Sequence, residues 1–122
     1  MNPEKIKAEE FLQLSANIPV CDVRSESEFA AGHIPGAINL PIFSDKEREA
    51  VGIKYKKQGS IEAIKLGLDI AGPAMSEKLE KGLDLSVSNQ ILIHCWRGGM
   101  RSEAMAWVFS LAGLKVKVLD GG

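Results

Sequence analysis

Ile91-Leu92-Ile93-His94-Cys95-Trp96-Arg97-Gly98-Gly99-Met100-Arg101-Ser102 is the stretch on which the reading of this sequence turns. With Gln90 before it, the run Ile91 to Ile93 has the continuous apolar pattern of a strand covered on both faces of a sheet. Such a strand delivers Cys95 to the sheet's C-terminal edge, where open α/β sheets bind their ligands. Gly98 and Gly99 let the backbone bend so that several N–H groups point inward as an anion-binding nest. The helix that follows, its face marked by Ala104, Trp107, Val108 and Leu111, adds about half a positive charge at its N-terminus. Arg97 and Arg101 add full charges. These surroundings favour thiolate over thiol and can bring a cysteine pKa from about 8.5 down to roughly 3.5–7.5. The expectation is a nucleophilic sulfur at Cys95 inside a cradle for an anion, built from Trp96, Arg97, Gly98, Gly99, Met100 and Arg101. A buried strand-end thiol is the plainer alternative, and the Gly- and Arg-rich sequel weighs against it.

Outward from this stretch the chain alternates strand and helix. Gly113 ends the helix, and Lys115-Val116-Lys117-Val118-Leu119 alternates as a last strand. Upstream, Pro19 to Val23 reads as a short buried strand running into Ser25, an N-cap with Glu28 three residues on, the capping-box pattern. That helix is expected to end at Gly32 as a C′ glycine. His33-Ile34-Pro35-Gly36 is a turn, and Ala37 to Leu40 is a second short strand stopped by Pro41. Residues 42 to 89 hold no convincing strand. Ser44 caps a helix with Glu47 in the box position, and Val51 and Tyr55 share a face. Gly59 interrupts, Ile61, Ile64 and Leu68 resume a helical stripe, and Gly72-Pro73 breaks it before a short amphipathic helix from Met75 to Leu83. The segment is too long for a plain loop and reads as a helical crossover carrying an insertion. This order implies an α/β domain with a central, mostly parallel sheet, helices on both faces and right-handed crossovers. No internal repeat or low-complexity tract is present.

With 122 residues, 45% of them hydrophobic and 25% charged, the chain has the size and composition of one globular domain, residues 1–122. The 15 Lys and Arg nearly cancel the 16 Asp and Glu, and a net charge of −1 offers no global field for nucleic acid. Two cysteines are too few for a secreted disulfide framework. The polar N-terminus has no signal-peptide h-region, and the apolar runs fall far short of the ~20 residues that span a bilayer. A reducing cytoplasm and no membrane are the expectation. Cys21, mid-strand, is expected to be inert core, and Trp107 to be core on its helix. His94 is one residue from Cys95 and so points to the other face, which favours packing over a general-base role. His33 pins its turn, and Trp96 is a pocket wall. Two His and two Cys lack zinc spacing, so no metal and no tightly bound cofactor are expected. From Ser44 to Leu66 there are six Lys/Arg against four Asp/Glu. The run Lys54-Tyr55-Lys56-Lys57 is open between a solvated helix face and a salt-sensitive RNA contact.

Cys21-Asp22-Val23-Arg24, then Glu28-Phe29, then Gly32-His33-Ile34-Pro35-Gly36-Ala37-Ile38-Asn39-Leu40-Pro41 resembles the rhodanese family, and the Cys95 loop falls where that family keeps its sulfur-carrying cysteine. The loop His94 to Ser102 and the insertion Lys46 to Lys56 are more specifically similar to the N-terminal domain of the bacterial tRNA 2-selenouridine synthases. The resemblance implies a rhodanese-like fold, Cys95 as the essential cysteine, and exchange of sulfur for selenium at tRNA wobble 2-thiouridine. It also implies selenophosphate, or another sulfur or selenium donor, as co-substrate, and a geranylated thiouridine as intermediate. The closing Asp120-Gly121-Gly122 resembles the join to that family's P-loop domain. No Gly-x-x-x-x-Gly-Lys-Ser/Thr occurs in the chain itself, so it is expected to lack the complete activity alone. Insertion residues such as Gly59-Ser60-Ile61 fit the family only loosely.

Other readings remain open at this level. One is a thiosulfate-type sulfurtransferase. Another is a phosphatase or arsenate reductase, because Cys95, five residues and Arg101 formally fit a Cys-x5-Arg loop; no Asp is obviously placed as its general acid. The third is a non-catalytic binding module. Asp22 and Glu28 are expected to brace Arg24 or the loop rather than face a substrate.

Overall fold

The computed structural model describes residues 3–95 and 100–120. In chain order the elements are β1 (Glu4–Ile6), α1 (Ala8–Leu14), β2 (Val20–Asp22), α2 (Glu26–Ala31), β3 (Ile38–Asn39), α3 (Asp45–Gln58), α4 (Ser60–Ala71), α5 (Met75–Leu85), β4 (Gln90–His94), α6 (Met100–Leu111) and β5 (Lys115–Leu119), with a 3₁₀ turn at Gly72–Ala74. The strands form one sheet in the order β1-β5-β4-β2-β3, and every pairing between them is parallel. After β2 the chain winds outward to β3; after β4 it winds the other way, to β5. The boundary between β2 and β4 is therefore the point where the winding reverses, and the C-terminal ends of these strands flank a crevice that open α/β sheets use for ligands. Register there pairs Cys21 with Ile93 and Asp22 with His94.

Strand alternation divides the core between the two faces of the sheet. Ile91, Ile93 and Cys95 pack with Met105, Ala106 and Phe109 of α6 and with Val116 and Val118 of β5. Leu92 points the other way, into a cluster with Ile6, Val20 and Phe11 of α1. Helices thus cover both faces. β1 and α1 are additions to the elements read from the sequence. Glu4-Lys5-Ile6 buries only Ile6, as an edge strand against β5, and so carries no apolar alternation to be recognised.

Two helices turn differently from their sequence stripes. On α6 the buried residues are Ser102, Met105, Ala106 and Phe109, whereas Ala104 is exposed, and Trp107 and Leu111 are 61% and 67% exposed. Both sets have helical spacing, and α6 is apolar on more than one side, so only the sheet beneath selects the inward one. Trp107 is not core. On α4, Ala63, Gly67 and Ala71 are buried, while Ile61, Ile64 and Leu68 are exposed. The small residues face the body of the protein because they allow close approach. Gly32 follows α2 as expected but with φ 160°, extended backbone that other residues also adopt. Gly59, at φ 93°, is the glycine that separates α3 from α4 in a left-handed conformation.

Gly82 of α5 is buried against Phe109: a Cβ there would overlap two carbons of the ring, and the ring is fully buried. Gly82→Ala is expected to lower stability by about 1–3 kcal/mol through overpacking, although alanine is the better helix former by up to ~1 kcal/mol. A urea titration would show this as a lower midpoint at unchanged slope.

Candidate active site

The corner after β2 is built first. Asp22 and Arg24 are both buried, at 0% and 4% exposure. The Asp22 carboxylate accepts from the Arg24 backbone N–H at 3.0 Å and from Nε and Nη2 at 3.0 and 2.8 Å. The same Nη2 donates to the Gly32 carbonyl at 2.7 Å. The Asn39 amide donates to the carbonyls of Asp22 and Arg24 at 3.1 and 2.9 Å. Val23 N–H donates to the His94 carbonyl at 3.1 Å, which ties this corner to the end of β4, one residue before Cys95. Asp22 thus braces Arg24, and the Asp22–Arg24, Gly32 and Asn39 positions form one hydrogen-bonded unit under the crevice.

Cys95 lies at the end of β4, 2% exposed, on the α6 face of the sheet. Arg101, in the first turn of α6, lies close enough to Cys95 for the two to interact electrostatically. Burial works against the Arg101 charge, but Glu28 and Cys95 together hold its pKa above the ordinary value. Glu28 meets Arg101 as a fork, Nη1 to Oε1 at 2.7 Å and Nη2 to Oε2 at 3.2 Å. The Ser25 backbone N–H and hydroxyl also donate to Glu28, at 3.1 and 3.0 Å, and Arg48 of α3 approaches Oε1 at 3.5 Å. Burial alone would raise the Glu28 pKa; the hydrogen bonds from Arg101 and Ser25 outweigh it and hold the carboxyl at about 2. The contribution of this group to stability is present above pH 4.5 and is lost as pH falls toward 2.

Of the residues expected at the site, Cys95 and Arg101 are brought together and Met100 opens α6; Trp96, Arg97, Gly98 and Gly99 lie outside the described residues. His94 is the last residue of β4, and strand alternation puts it on the face opposite Cys95, as expected. His33 Nδ1 is 2.9 Å from the Phe29 carbonyl and the ring stacks on Phe29 at 3.7 Å, so it fixes the turn. The other nearby acids are engaged or outward: Glu103 pairs with Lys5 at 3.0 Å and Glu26 is exposed. Arg48 was not singled out in the sequence, where nothing distinguishes it from the other cations of α3. Among the described residues no cluster of three or more His, Cys, Asp and Glu has the makings of a metal site, and no helix is long and apolar enough to cross a membrane.

Beside Arg101 opens a cavity of about 480 Å³ walled by Phe43, Val51, Tyr55, Ile64, Leu68 and Met100, with Arg48 and Arg101 among its lining residues. Tyr55 of α3 and Ile64 and Leu68 of α4, exposed apolar residues, thus face this cavity rather than the core.

The rhodanese-like domain family matches residues 7–122. The chain belongs to the rhodanese-like family. Relatives of this rhodanese-like domain include the tRNA 2-selenouridine synthases of Nitrosomonas europaea, 39% identical over 88% of this chain and 28% of its own length, and Nitrosomonas eutropha, 38% identical over 100% and 32%. The chain therefore spans about a third of the length of the curated relatives it matches, and corresponds to their N-terminal part. Among solved structures, the N-terminal domain of a Clostridium difficile protein named for ATP/GTP binding superposes with a TM-score of 0.88 at 37% identity, covering 98% of this chain and 92% of that one. A human single-domain sulfurtransferase, at TM-score 0.55 and 21% identity over 100% of this chain and 92% of its own, shares the fold.

The second cysteine of this rhodanese-like domain differs from the first. Burial, with Asp22 adding repulsion, pushes the Cys21 thiol up from 9.0 to about 12, as suits inert core. Above pH 9 the unfolded chain loses this proton while the folded chain keeps it, so stability drains away between pH 9 and 12 at about 1.4 kcal/mol per pH unit. Cys21→Ala is expected to flatten the alkaline limb of a stability–pH curve by that slope, measured by denaturant unfolding at successive pH values.

Proposed function

We propose that this domain is a chalcogen carrier in which Cys95 accepts sulfur or selenium and hands it on, as part of an enzyme that replaces sulfur by selenium at tRNA wobble 2-thiouridine. The observation that supports the reading is the approach of Arg101 to Cys95 at the crevice between β2 and β4, which puts a cation beside the sulfur. With a thiosulfate-type donor the Cys95 thiolate attacks the outer sulfur and the sulfur–sulfur bond of the donor breaks. Sulfite then leaves with the bonding pair, and Cys95 is left as a persulfide. Trp96, Arg97, Gly98 and Gly99 would complete the anion cradle with Met100 and Arg101. Selenophosphate would be the donor in the complete enzyme, whose downstream P-loop domain and tRNA contacts lie beyond this chain. The names of the relatives support this reading. The apolar cavity beside Arg101 suits the geranyl group of a geranylated thiouridine. Ala63→Phe, which fills part of that cavity, is then expected to slow turnover of the geranylated RNA about tenfold or more in the full-length enzyme, with little effect on sulfur loading of Cys95.

The Cys-x5-Arg spacing favours a phosphatase as second reading, but its chemistry needs a placed acid to protonate the leaving alkoxide. Asp22, Glu28 and Glu103 are each held by a cation, which argues against it. Incubation with a sulfur donor, followed by intact-protein mass, and with an aryl phosphate, followed by phosphate release, separates the two. The carrier reading expects a chalcogen gain on Cys95 and no Cys95-dependent phosphate release. Multiple-turnover phosphate release that Cys95→Ser abolishes, with no mass gain, would overturn it.

A further inference from the structure

We propose that Glu28 is a positioning residue for the reaction at Cys95: its carboxylate, fixed at the start of α2, holds the Arg101 guanidinium against the cysteine at the end of β4. The proposal deepens the reading of Cys95 as the reacting group and rests on it. The geometry has three parts. The Glu28–Arg101 fork joins both terminal nitrogens to both carboxylate oxygens, at 2.7 and 3.2 Å, which restrains orientation as well as place. Glu28 is itself anchored, since Ser25 donates to it twice and the Ser25 side is fully buried. Arg101 then carries the contact on to the Cys95 sulfur. A long arginine without such an anchor would sample many rotamers and would lose side-chain entropy in settling beside the sulfur. The capping box of α2 therefore serves twice, starting the helix and aiming a cation 73 residues away along the chain.

The charged groups gathered here act in opposite directions on Cys95. Arg101 acts as a cation. Glu28 acts against it by charge and with it by holding the guanidinium in place. Arg48 of α3 reaches Glu28 from the cavity side, and Arg24, balanced by Asp22, faces both Glu28 and Arg101. A Glu28 that merely cancels charge and a Glu28 that aims Arg101 thus differ in sign when it is removed.

The test is the pH titration of the Cys95 thiolate by ultraviolet absorbance in a Cys21→Ala background, for Glu28→Gln, Arg101→Met and the double variant. The expected result is that Glu28→Gln raises the midpoint by about one pH unit, a tenfold loss of thiolate below it. The double variant is expected to be no higher than Arg101→Met alone, because Glu28 acts through Arg101. A midpoint that falls or stays in place in Glu28→Gln would overturn the proposal, as would a full further rise in the double variant. Arg101→Lys keeps the charge without the fork and is expected to raise the midpoint as well, which keeps the proposal testable if Glu28→Gln folds poorly; an unmoved midpoint there would count against it. Sulfur loading of the parent protein, read by mass and compared with Cys95→Ser, reports separately on the carrier role of Cys95. Equal loading in those two proteins would remove that role whatever the midpoints do.

Discussion

On the proposed function, Cys95→Ser is expected to abolish chalcogen loading of this domain and, in the full-length protein, selenium incorporation into tRNA, a loss of roughly a thousandfold or more. Serine keeps the size of the side chain, so the packing of Cys95 against Met105 and Phe109 on the α6 face is little changed and stability should shift by no more than about 1 kcal/mol. What changes is the nucleophile. A serine hydroxyl stays protonated near neutral pH even beside Arg101, and no described residue stands in the role of its base: His94 is on the other face of the sheet, Asp22 is saturated by Arg24, and Glu28 is held by Arg101. Intact-protein mass after incubation with donor, and selenium content of the tRNA, are the two readouts. Wild-type turnover in the variant would take Cys95 out of the mechanism.

Asp22→Ala is expected to be the most destabilising single change, by about 3–5 kcal/mol, because it leaves the buried Arg24 charge without its counterion. For a domain of this size that is a fall in Tm of more than about 10 °C, measurable by thermal unfolding. The loss does not mean that the ion pair is worth that much. Replacing both partners by apolar residues, as in Asp22→Leu with Arg24→Met, is expected to recover much of it, since no charge then remains to be buried. Activity should not recover in parallel, because the corner after β2 also flanks the end of β4 through the Val23–His94 hydrogen bond. A double variant as unstable as Asp22→Ala would show that geometry, rather than the orphaned charge, sets the cost.

What could be read in the sequence was what depends on neighbours a few residues apart. The apolar run of β4, the two capping boxes at Ser25 and Ser44, the break at Gly59 and the placing of Cys95 between a strand and a helix each have short-range causes, and each stands in the structure as read. The α/β class and the position of Cys95 at a strand end followed from them. The same local logic could not choose between the two stripes of α6, since both Ala104-Trp107-Val108-Leu111 and Met105-Ala106-Phe109 have helical spacing. Nor could it find β1, whose one buried side chain, Ile6, makes no pattern. In the site, Glu28 was legible as a cap and as a brace for Arg24 or the loop, but which cation it would hold was not, and Arg48 was not legible at all. Sequence by itself therefore determined most of the elements, the α/β class and the place of Cys95 at the end of a strand. Tertiary structure decided which helix face turns inward, which acid restrains which cation, and that the apolar residues of α3 and α4 enclose a cavity. The reason is one of range: periodicity and capping act within one or two turns of chain, whereas burial and ion pairing are settled by whatever distant element the sheet order brings alongside.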